Sequence, residues 1–436
     1  MGQDFRRLSG ASKEKIQSKI KLIEQEFCFL IQKKHIVIAT TNFANGGTER
    51  RAMVLANGFS EKGYKVTYLV MNKIYPDVVY KLDDSIELVS ISDFASSDAA
   101  AREKELSQQQ IRTKQKMLTR KHRILKLLNI DDIRVKRWRS RSGQIVPLRA
   151  FMMCNREALF IAFGIEIYEK LFYAADGLGC SLIFSDASAP QFKNSPKEKL
   201  VFDKVLSKQI NKAAACIFQT QDQMAYYGKC VKSNGYIIKN PLTAKLPPVY
   251  EGERKHIIVN FCRTHPVKNL ILLVDAFKLF SEEFPDYTLE IYGATSTEIA
   301  ENYKTKVCKR IHELGLEKKA KVYDAVPDVH KRIFDYGMYV SSSDSEGLSN
   351  SMIEAMALGL PCICTDCEGG GAREMINDGE NGLLVPVRDA DAMYRAMRSL
   401  ALQKDLSNKC GKNAANVRNE LSADNILNEW INVLIK

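Results

Sequence analysis

Short apolar runs alternate with amphipathic stretches along most of this chain. The run "HIVIAT" at 35–40 is followed by a glycine-containing loop, a helical pattern that ends near Gly63, and a second apolar run at 65–71. Apolar runs of this length, separated by helix-length patterns, predict buried parallel strands that are joined by crossover helices. Two further strands of this first series are predicted at 180–186 and 215–220.

A second alternating series begins after Asn240 and Pro241. Its predicted strands lie at 256–262, 287–293, 320–325, 338–343 and 361–366. Two separate series predict an α/β protein with two doubly wound, Rossmann-like domains rather than one long sheet. Such domains bind ligands at the carboxyl ends of their strands, so we expect the two domains to face a central cleft.

The predicted domain organisation has four parts. They are an N-terminal helical extension at 1–33, a first Rossmann-like domain at 34–240 with an insert at 95–150, a second Rossmann-like domain at 241–415, and a C-terminal helix at 416–436. We expect that last helix to pack back on the first domain.

Composition narrows the class of protein. A length of 436 residues is too great for one ordinary core. The longest apolar candidate, 158–172, is interrupted by Glu166 and Glu169, so no membrane span is predicted. The first residues lack the apolar segment of a secretory signal, and eleven scattered cysteines indicate reduced thiols rather than a disulfide framework. We therefore expect a cytoplasmic protein.

Positive charge is concentrated in one part of the predicted insert. Between Arg102 and Arg141 fourteen Lys and Arg residues stand against four acids, which gives +10 of the chain's net +12. Three interpretations remain open: a solvated pair of basic helices, a surface for anionic lipid headgroups, or a nucleic-acid footprint. The third has no support from a nucleic-acid-binding module elsewhere, and no nucleic-acid partner is expected.

Two loops that follow predicted first strands have the chemistry of phosphate sites. Gly46 and Gly47 precede a helix, where glycine lets a ligand approach the backbone and the helix start favours an anion. In the second domain Arg263 and Lys268 occupy the equivalent loop and would hold a diphosphate. The alternatives are a plain glycine turn and a solvated pair of surface charges.

A later loop adds two carboxylates. The stretch "SDSEGLSNSMIEAMALG" carries Glu346 in the loop and Glu354 in the following helical pattern. A carboxylate next to a phosphate site can accept hydrogen bonds from sugar or ribose hydroxyls. Alternatively, Ser351-x-x-Glu354 matches a capping box, in which Glu354 would only close the helix start.

A glycine-rich loop and a cysteine run follow. The glycines at 369–371 precede another helical pattern and could expose backbone N–H groups to a ligand. Cys362, Cys364 and Cys367 suggest a metal at first sight, but they lack the second cysteine pair or histidine that would complete a site. Core packing is the favoured interpretation, and no metal is expected.

The combined motifs resemble those of retaining GT-B glycosyltransferases of family 4. The family pattern E-x7-E, E-A-M-A-x-G-x-P and D-G-x-N-G is met by Glu346, by 354–361 and by 378–382. "NGGTER" resembles its G-G-x-E motif, and "RTHPVKNL" resembles its R-x4-K motif. The matches occur in the family's order and cover most of residues 34–415.

The resemblance implies an enzyme that transfers a hexose or N-acetylhexosamine from a nucleotide sugar, UDP-linked by family frequency, to a hydroxyl acceptor. Arg263 and Lys268 would bind the donor diphosphate, Glu354 the ribose hydroxyls, and Glu346 the donor sugar. The remaining donor contacts that it implies come from the backbone at Leu348, Ser349, Gly293 and Val326. Such enzymes retain the anomeric configuration and need no metal or other cofactor, because cationic groups neutralise the leaving diphosphate.

The chain departs from the family pattern on the acceptor side. Many relatives have a histidine near the end of a first-domain strand, where this chain has Ser185 and Asp186, so Asp186 is the predicted acceptor-side base. The basic insert suits a lipid-linked or surface-polysaccharide acceptor at the cytoplasmic face of a membrane. The rival interpretations are a non-catalytic scaffold that binds membrane or nucleic acid, and a GT-B epimerase; no pyridoxal lysine context supports a phosphorylase.

Overall fold

The computed structural model describes most of the chain. The described residues are 35–44, 46–75, 78, 81–94, 108–112, 133–186, 206–228, 230–231, 233–242, 246–294 and 297–435, with no side chains described for 133–143 and 435. The predicted N-terminal extension and most of the basic insert lie outside these residues. Among the described residues, no helix is long and apolar enough to cross a membrane.

The first sheet has seven strands in the order β3-β2-β1-β4-β5-β6-β7. Its strands are β1 (His35–Thr40), β2 (Lys65–Val70), β3 (Glu87–Ser90), β4 (Leu159–Phe163), β5 (Ser181–Ser185), β6 (Ala215–Phe218) and β7 (Gly235–Ile237). β1 pairs in parallel with both β2 and β4, so the strand order reverses direction between β1 and β4. The apolar run at 158–172 contributes β4 and the helix after it.

Helices follow the strands of this sheet. They are α1 (Gly47–Glu61), α2 (Ile91–Phe94), α3 (Ile133–Cys154), α4 (Ile165–Ala174), α5 (Ser207–Ile210) and α6 (Gln221–Tyr226). α1 buries Ala52, Leu55, Ala56 and Phe59 on the side that faces the sheet, which is the 3.6-residue pattern expected of a crossover helix. At Gly164 the chain turns from β4 into α4 with φ of 100°, a backbone conformation that favours glycine.

The second sheet has six strands in the order β10-β9-β8-β11-β12-β13. Its strands are β8 (Lys255–Phe261), β9 (Thr288–Gly293), β10 (Ala320–Asp324), β11 (Tyr336–Ser341), β12 (Cys362–Thr365) and β13 (Leu383–Val385). Every pair of neighbours is parallel. This is the strand order of the Rossmann fold, and the order reverses between β8 and β11.

The helices of the second sheet begin with a short 3₁₀ turn, Pro266–Lys268. They are α7 (Leu270–Glu283), α8 (Glu298–Glu313), α9 (Val329–Ile333), α10 (Asn350–Ala357), α11 (Gly371–Met375), α12 (Ala390–Leu402), α13 (Lys404–Ala414), α14 (Val417–Glu420) and α15 (Ala423–Ile435). α7 places Leu273, Val274, Phe277 and Phe280 in the core beside β8 and β9. Burial of such side chains contributes roughly 1.5–3 kcal/mol each, so this core holds the strand ends in place.

The predicted fold class, two parallel-sheet Rossmann-like α/β domains, is confirmed. Four strands were not predicted from the sequence, because they are short or lie in an apolar run shared with a helix: β3, β4, β7 and β13. By contact density the chain divides into two compact units, 1–183 and 184–436. The domain bounds drawn from the sequence stay a prediction.

Candidate functional site

The candidate site lies where the strand order of the second sheet reverses. The loop after β8, residues 262–269, and the loop after β11, residues 342–349, meet at the carboxyl ends of these strands. The Ser342 hydroxyl donates to the carbonyl oxygen of Lys268 (3.0 Å), and the Asp344 N–H donates to that of Val267 (2.8 Å). Two segments 75 residues apart in sequence are thereby fixed as one surface, at the position where such sheets bind ligands.

Lys268 and Glu346 form an ion pair within this surface. Their side chains are 13% and 25% exposed, and the Lys268 ammonium donates a hydrogen bond to Glu346 Oε2. Burial by itself would lower the pKa of Lys268, but the attraction of the Glu346 carboxylate outweighs it, and the pKa is raised. Lys268 therefore stays protonated and supplies a fixed positive charge at the strand ends.

Arg263 lies in the same loop and is exposed. Among the residues that the structure describes, its guanidinium forms no ion pair. Burial, and then the charges of Arg263 and Lys268, lower the pKa of His265 in the same loop. An exposed guanidinium and a partly exposed ammonium in one loop are suited to bind a diphosphate, because the two cations can share its oxygens.

Glu354 is nearly buried in α10, with its side chain 7% exposed. His330, on α9, contacts Glu354 Oε2 through Nε2 at 2.8 Å. The capping-box alternative is wrong, because α10 begins two residues earlier than that motif requires. Its N-cap is Ser349, whose hydroxyl accepts from the Met352 N–H at 3.5 Å. Glu354 therefore lies in the second turn and does not close the helix.

The loop that carries Leu348 and Ser349 is packed tightly against the glycine-rich loop after β12. A Cβ on Gly371 would lie 1.8 Å from the carbonyl oxygen of Gly347, so only glycine allows the two backbones to approach. Within the same compact unit, the buried Asn240 amide donates to the carbonyl oxygen of Leu348 at 3.2 Å. The glycine-rich loop therefore supports the loop at 342–349, and its own contact with a ligand stays a prediction.

The two backbone positions predicted to contact a nucleobase lie at the last residue of β9 and just after β10. A Cβ on Gly293 would lie 2.2 Å from the Thr264 hydroxyl and 2.9 Å from the Cys262 carbonyl oxygen. Close packing on the loop after β8 therefore accounts for glycine at this position. Val326 is half-buried in the turn between β10 and α9. Both residues lie beside the elements that carry Arg263 and His330, and their roles stay predictions.

The glycine pair of the first unit forms the start of α1. Gly46 is the N-cap, and a Cβ there would lie 2.0 Å from the Glu49 carboxylate, which folds back over the helix start. Gly47 is the first helical residue and is exposed. Glu49 therefore supplies negative charge at the helix N-terminus, where an anionic ligand would otherwise be favoured. The predicted phosphate or acceptor role of Gly46 and Gly47 stays a prediction.

Asp186, the predicted acceptor-side base, directly follows β5 and is 3% exposed. The Tyr227 hydroxyl donates to its Oδ2 at 2.5 Å. Tyr227 is itself fully buried, and burial raises its pKa well above the ordinary value. The buried Asp186 carboxylate thus accepts a hydrogen bond from a buried tyrosine, a contact that does not support a role as a base. That role stays a prediction.

The cysteine run lies in and after β12. Cys362 and Cys364 are buried in that strand, and burial raises the pKa of Cys367 to about 11. All three thiols therefore remain protonated at neutral pH. No group of His, Cys, Asp and Glu among the described residues is arranged to hold a metal ion.

The sequence did not predict His330, which contacts Glu354, or Asn240, which contacts Leu348. His330 lies 24 residues before Glu354, on a five-residue helix with no motif of its own. The one available signal was its position, since "VPDVH" follows a predicted strand of the second series. Only the tertiary structure brings its ring to the carboxylate.

The fold is of the GT-B class, and comparison with known proteins shows that part of the chain is similar to one family. Residues 246–417 match the family described as "Glycosyl transferases group 1". This segment is similar to that family and contains Arg263, Lys268, Glu346 and Glu354.

Individual relatives are similar over part of their length. The poly(glycerol-phosphate) alpha-glucosyltransferase of Bacillus subtilis is 27% identical over 197 residues, which are 45% of this chain and 28% of that protein. The poly(ribitol-phosphate) alpha-N-acetylglucosaminyltransferase of Staphylococcus aureus is 28% identical over 190 residues, which are 43% of this chain and 36% of that protein. The chain thus matches about a third of the length of these relatives.

One solved structure shows the same fold over nearly the whole chain. The UDP complex of HepE from Anabaena superposes with a TM-score of 0.68 and is 15% identical in sequence. The match covers 92% of this chain and 99% of HepE. At this identity the similarity establishes the fold.

Proposed function

We propose that this protein is a glycosyltransferase that moves a hexose or N-acetylhexosamine from a UDP-sugar to a hydroxyl of a surface-polysaccharide or lipid-linked glycan. The observation that carries the proposal is the Lys268–Glu346 ion pair beside the exposed Arg263, at the reversal point of a glycosyl transferases group 1 domain. The named polymer substrates of the two relatives support the acceptor class, and the UDP bound to HepE supports the donor.

The proposed reaction retains the anomeric configuration. The bond between the sugar C1 and the diphosphate oxygen breaks, and its electron pair leaves with UDP. Lys268 and Arg263 stabilise the negative charge that develops on that leaving group, so no metal is required. The acceptor oxygen then bonds to C1 on the face that UDP has left, and the acceptor proton passes to the departing phosphate. Glu346 binds the donor sugar in this scheme.

Arg263→Ala should weaken UDP binding by about tenfold, because an exposed guanidinium contributes a charge-assisted hydrogen bond of roughly 1.5–3 kcal/mol. Isothermal titration calorimetry with UDP measures this effect. The matched control is Arg395→Ala, which removes an exposed arginine from α12. Equal affinities of both variants and the wild type would contradict the proposed diphosphate site, and no UDP binding by the wild type would favour the non-catalytic scaffold.

The basic insert is proposed to place the enzyme on anionic membrane. Vesicles with 30% anionic phospholipid should sediment the protein at low salt and release it as salt is raised, because each lysine or arginine near such a surface contributes about 1 kcal/mol. A variant with Lys114, Lys116, Arg120 and Lys121 replaced by Gln should sediment less. The proposal is refuted if the wild type sediments with neither anionic nor neutral vesicles, or only with neutral ones.

A further inference from the structure

The Glu354 carboxylate has a partner that comes from a separate element. His330 Nε2 lies 2.8 Å from Glu354 Oε2, and the two side chains are 15% and 7% exposed. A carboxylate can only accept here, so the imidazole Nε2–H donates. A hydrogen bond to a charged group is stronger when it is shielded from water than when it is on the surface. The bond from His330 therefore restricts the orientation of the Glu354 carboxylate.

The His330 ring is itself held in place. Its edge packs on Phe261, the last residue of β8, with ring centroids 5.8 Å apart and planes at 89°. Two further residues hold α9 in place. The first is Ile333, which is fully buried. The second is Arg332, which lies over the stacked rings of Tyr292 and Tyr323, at 5.4 and 5.3 Å. The imidazole is thus a fixed donor on the surface formed by the ends of β8, β9 and β10.

We propose that His330 is a positioning residue, which orients the Glu354 carboxylate toward the ribose hydroxyls of the nucleotide donor. This inference rests on the proposed donor site. A carboxylate offers about four acceptor sites, so accepting from His330 is compatible with accepting from hydroxyls. The fixed imidazole reduces the rotamer freedom that Glu354 would otherwise lose when the nucleotide binds.

The test compares UDP with its 2′,3′-dideoxy analogue, which lacks both ribose hydroxyls. For the wild type we expect UDP to bind at least about tenfold more tightly, because a site built for hydroxyls leaves polar groups unpaired without them. In His330→Leu this preference should fall about tenfold, the equivalent of roughly 1.4 kcal/mol. His330→Gln, whose amide can donate in place of Nε2–H, should restore most of the preference. In a Glu354→Gln background the His330 substitutions should have no further effect.

Two controls separate positioning from general stability. His312→Leu removes a histidine that contacts Glu317 at 2.5 Å, with both side chains exposed at the end of α8, and should leave the preference unchanged. If His330→Leu does not fold, His330→Asn gives the same comparison, because its amide is too short to reach Glu354. If folded His330→Leu or His330→Asn prefers UDP over the dideoxy analogue as strongly as the wild type does, the positioning role of His330 is wrong, although the proposed donor site is not. If the wild type does not bind UDP, both the proposed donor site and this inference are wrong.

Discussion

Lys268→Met is expected to lower the rate of sugar transfer by at least about 100-fold, the effect that mutagenesis gives for the loss of one preorganised charge-stabilising group. The ammonium is a partly exposed cation at the strand ends, and the attraction of Glu346 keeps it protonated. Its removal takes away the positive charge that stabilises the leaving diphosphate in the proposed reaction. It also leaves the Glu346 carboxylate without its partner, which adds repulsion of the anionic donor. Steady-state kinetics with a UDP-sugar and a glycan acceptor measures the loss.

The matched control for Lys268, which lies in the loop after β8, is a lysine at the start of that strand. Lys255, the first residue of β8, forms an ion pair with Asp335 at 2.8 Å, and its side chain is largely exposed. Lys255→Met should change turnover by less than about twofold, because an exposed ion pair contributes roughly 0–1 kcal/mol and lies far from the strand ends. If both methionine variants turn over equally, the positive charge of Lys268 has no part in the reaction.

Substitution of the two glutamates of the E-x7-E motif is expected to affect different quantities, turnover for Glu346 and UDP affinity for Glu354. Glu346→Gln should lower turnover by about 100-fold and change UDP affinity little, because the proposed contact of its carboxylate, beside Lys268, is with the reacting sugar. Glu354→Gln should weaken UDP binding by about tenfold with a smaller effect on turnover, because it removes a charged acceptor from the nucleotide. Calorimetry with UDP and initial rates at saturating donor separate the two quantities.

A carboxylate outside the site provides the reference for this pair. Glu317→Gln changes an exposed glutamate that, like Glu354, contacts a histidine. It should leave both the affinity and the rate unchanged. Small and equal effects from Glu346→Gln and Glu354→Gln would mean that both residues support the loop and helix without acting on the donor.

The candidate site could be predicted in part because its charges lie in loops that follow strands. Parallel strands in one sheet end at the same edge, so "RTHPVKNL" after one strand and "SDSEGL" after another predict neighbouring groups. The ion pair between Lys268 and Glu346 agrees with that expectation. The capping-box alternative for Glu354 failed on the start of the helix, a boundary that a serine-rich stretch with Ser349 and Ser351 leaves ambiguous.

The acceptor side was less predictable. Asp186 follows a strand, which made it a candidate, but the sequence gives no sign that Tyr227 would donate to it from 41 residues away. A lone carboxylate at a strand end is equally consistent with a reactive group and with a buried partner for a tyrosine. Such pairs depend on side chains that meet from separate elements, and no local pattern encodes them.

The amino-acid sequence by itself determined the alternation of strands and helices, the Rossmann-like class, and the loops that carry the cations and carboxylates. These follow from hydrophobic periodicity and from the rule that parallel strands end at one edge. The tertiary structure alone decided which side chains meet: Lys268 with Glu346, His330 with Glu354, and Tyr227 with Asp186. The physical reason is that burial and hydrogen-bond partners depend on contacts between residues far apart in the chain.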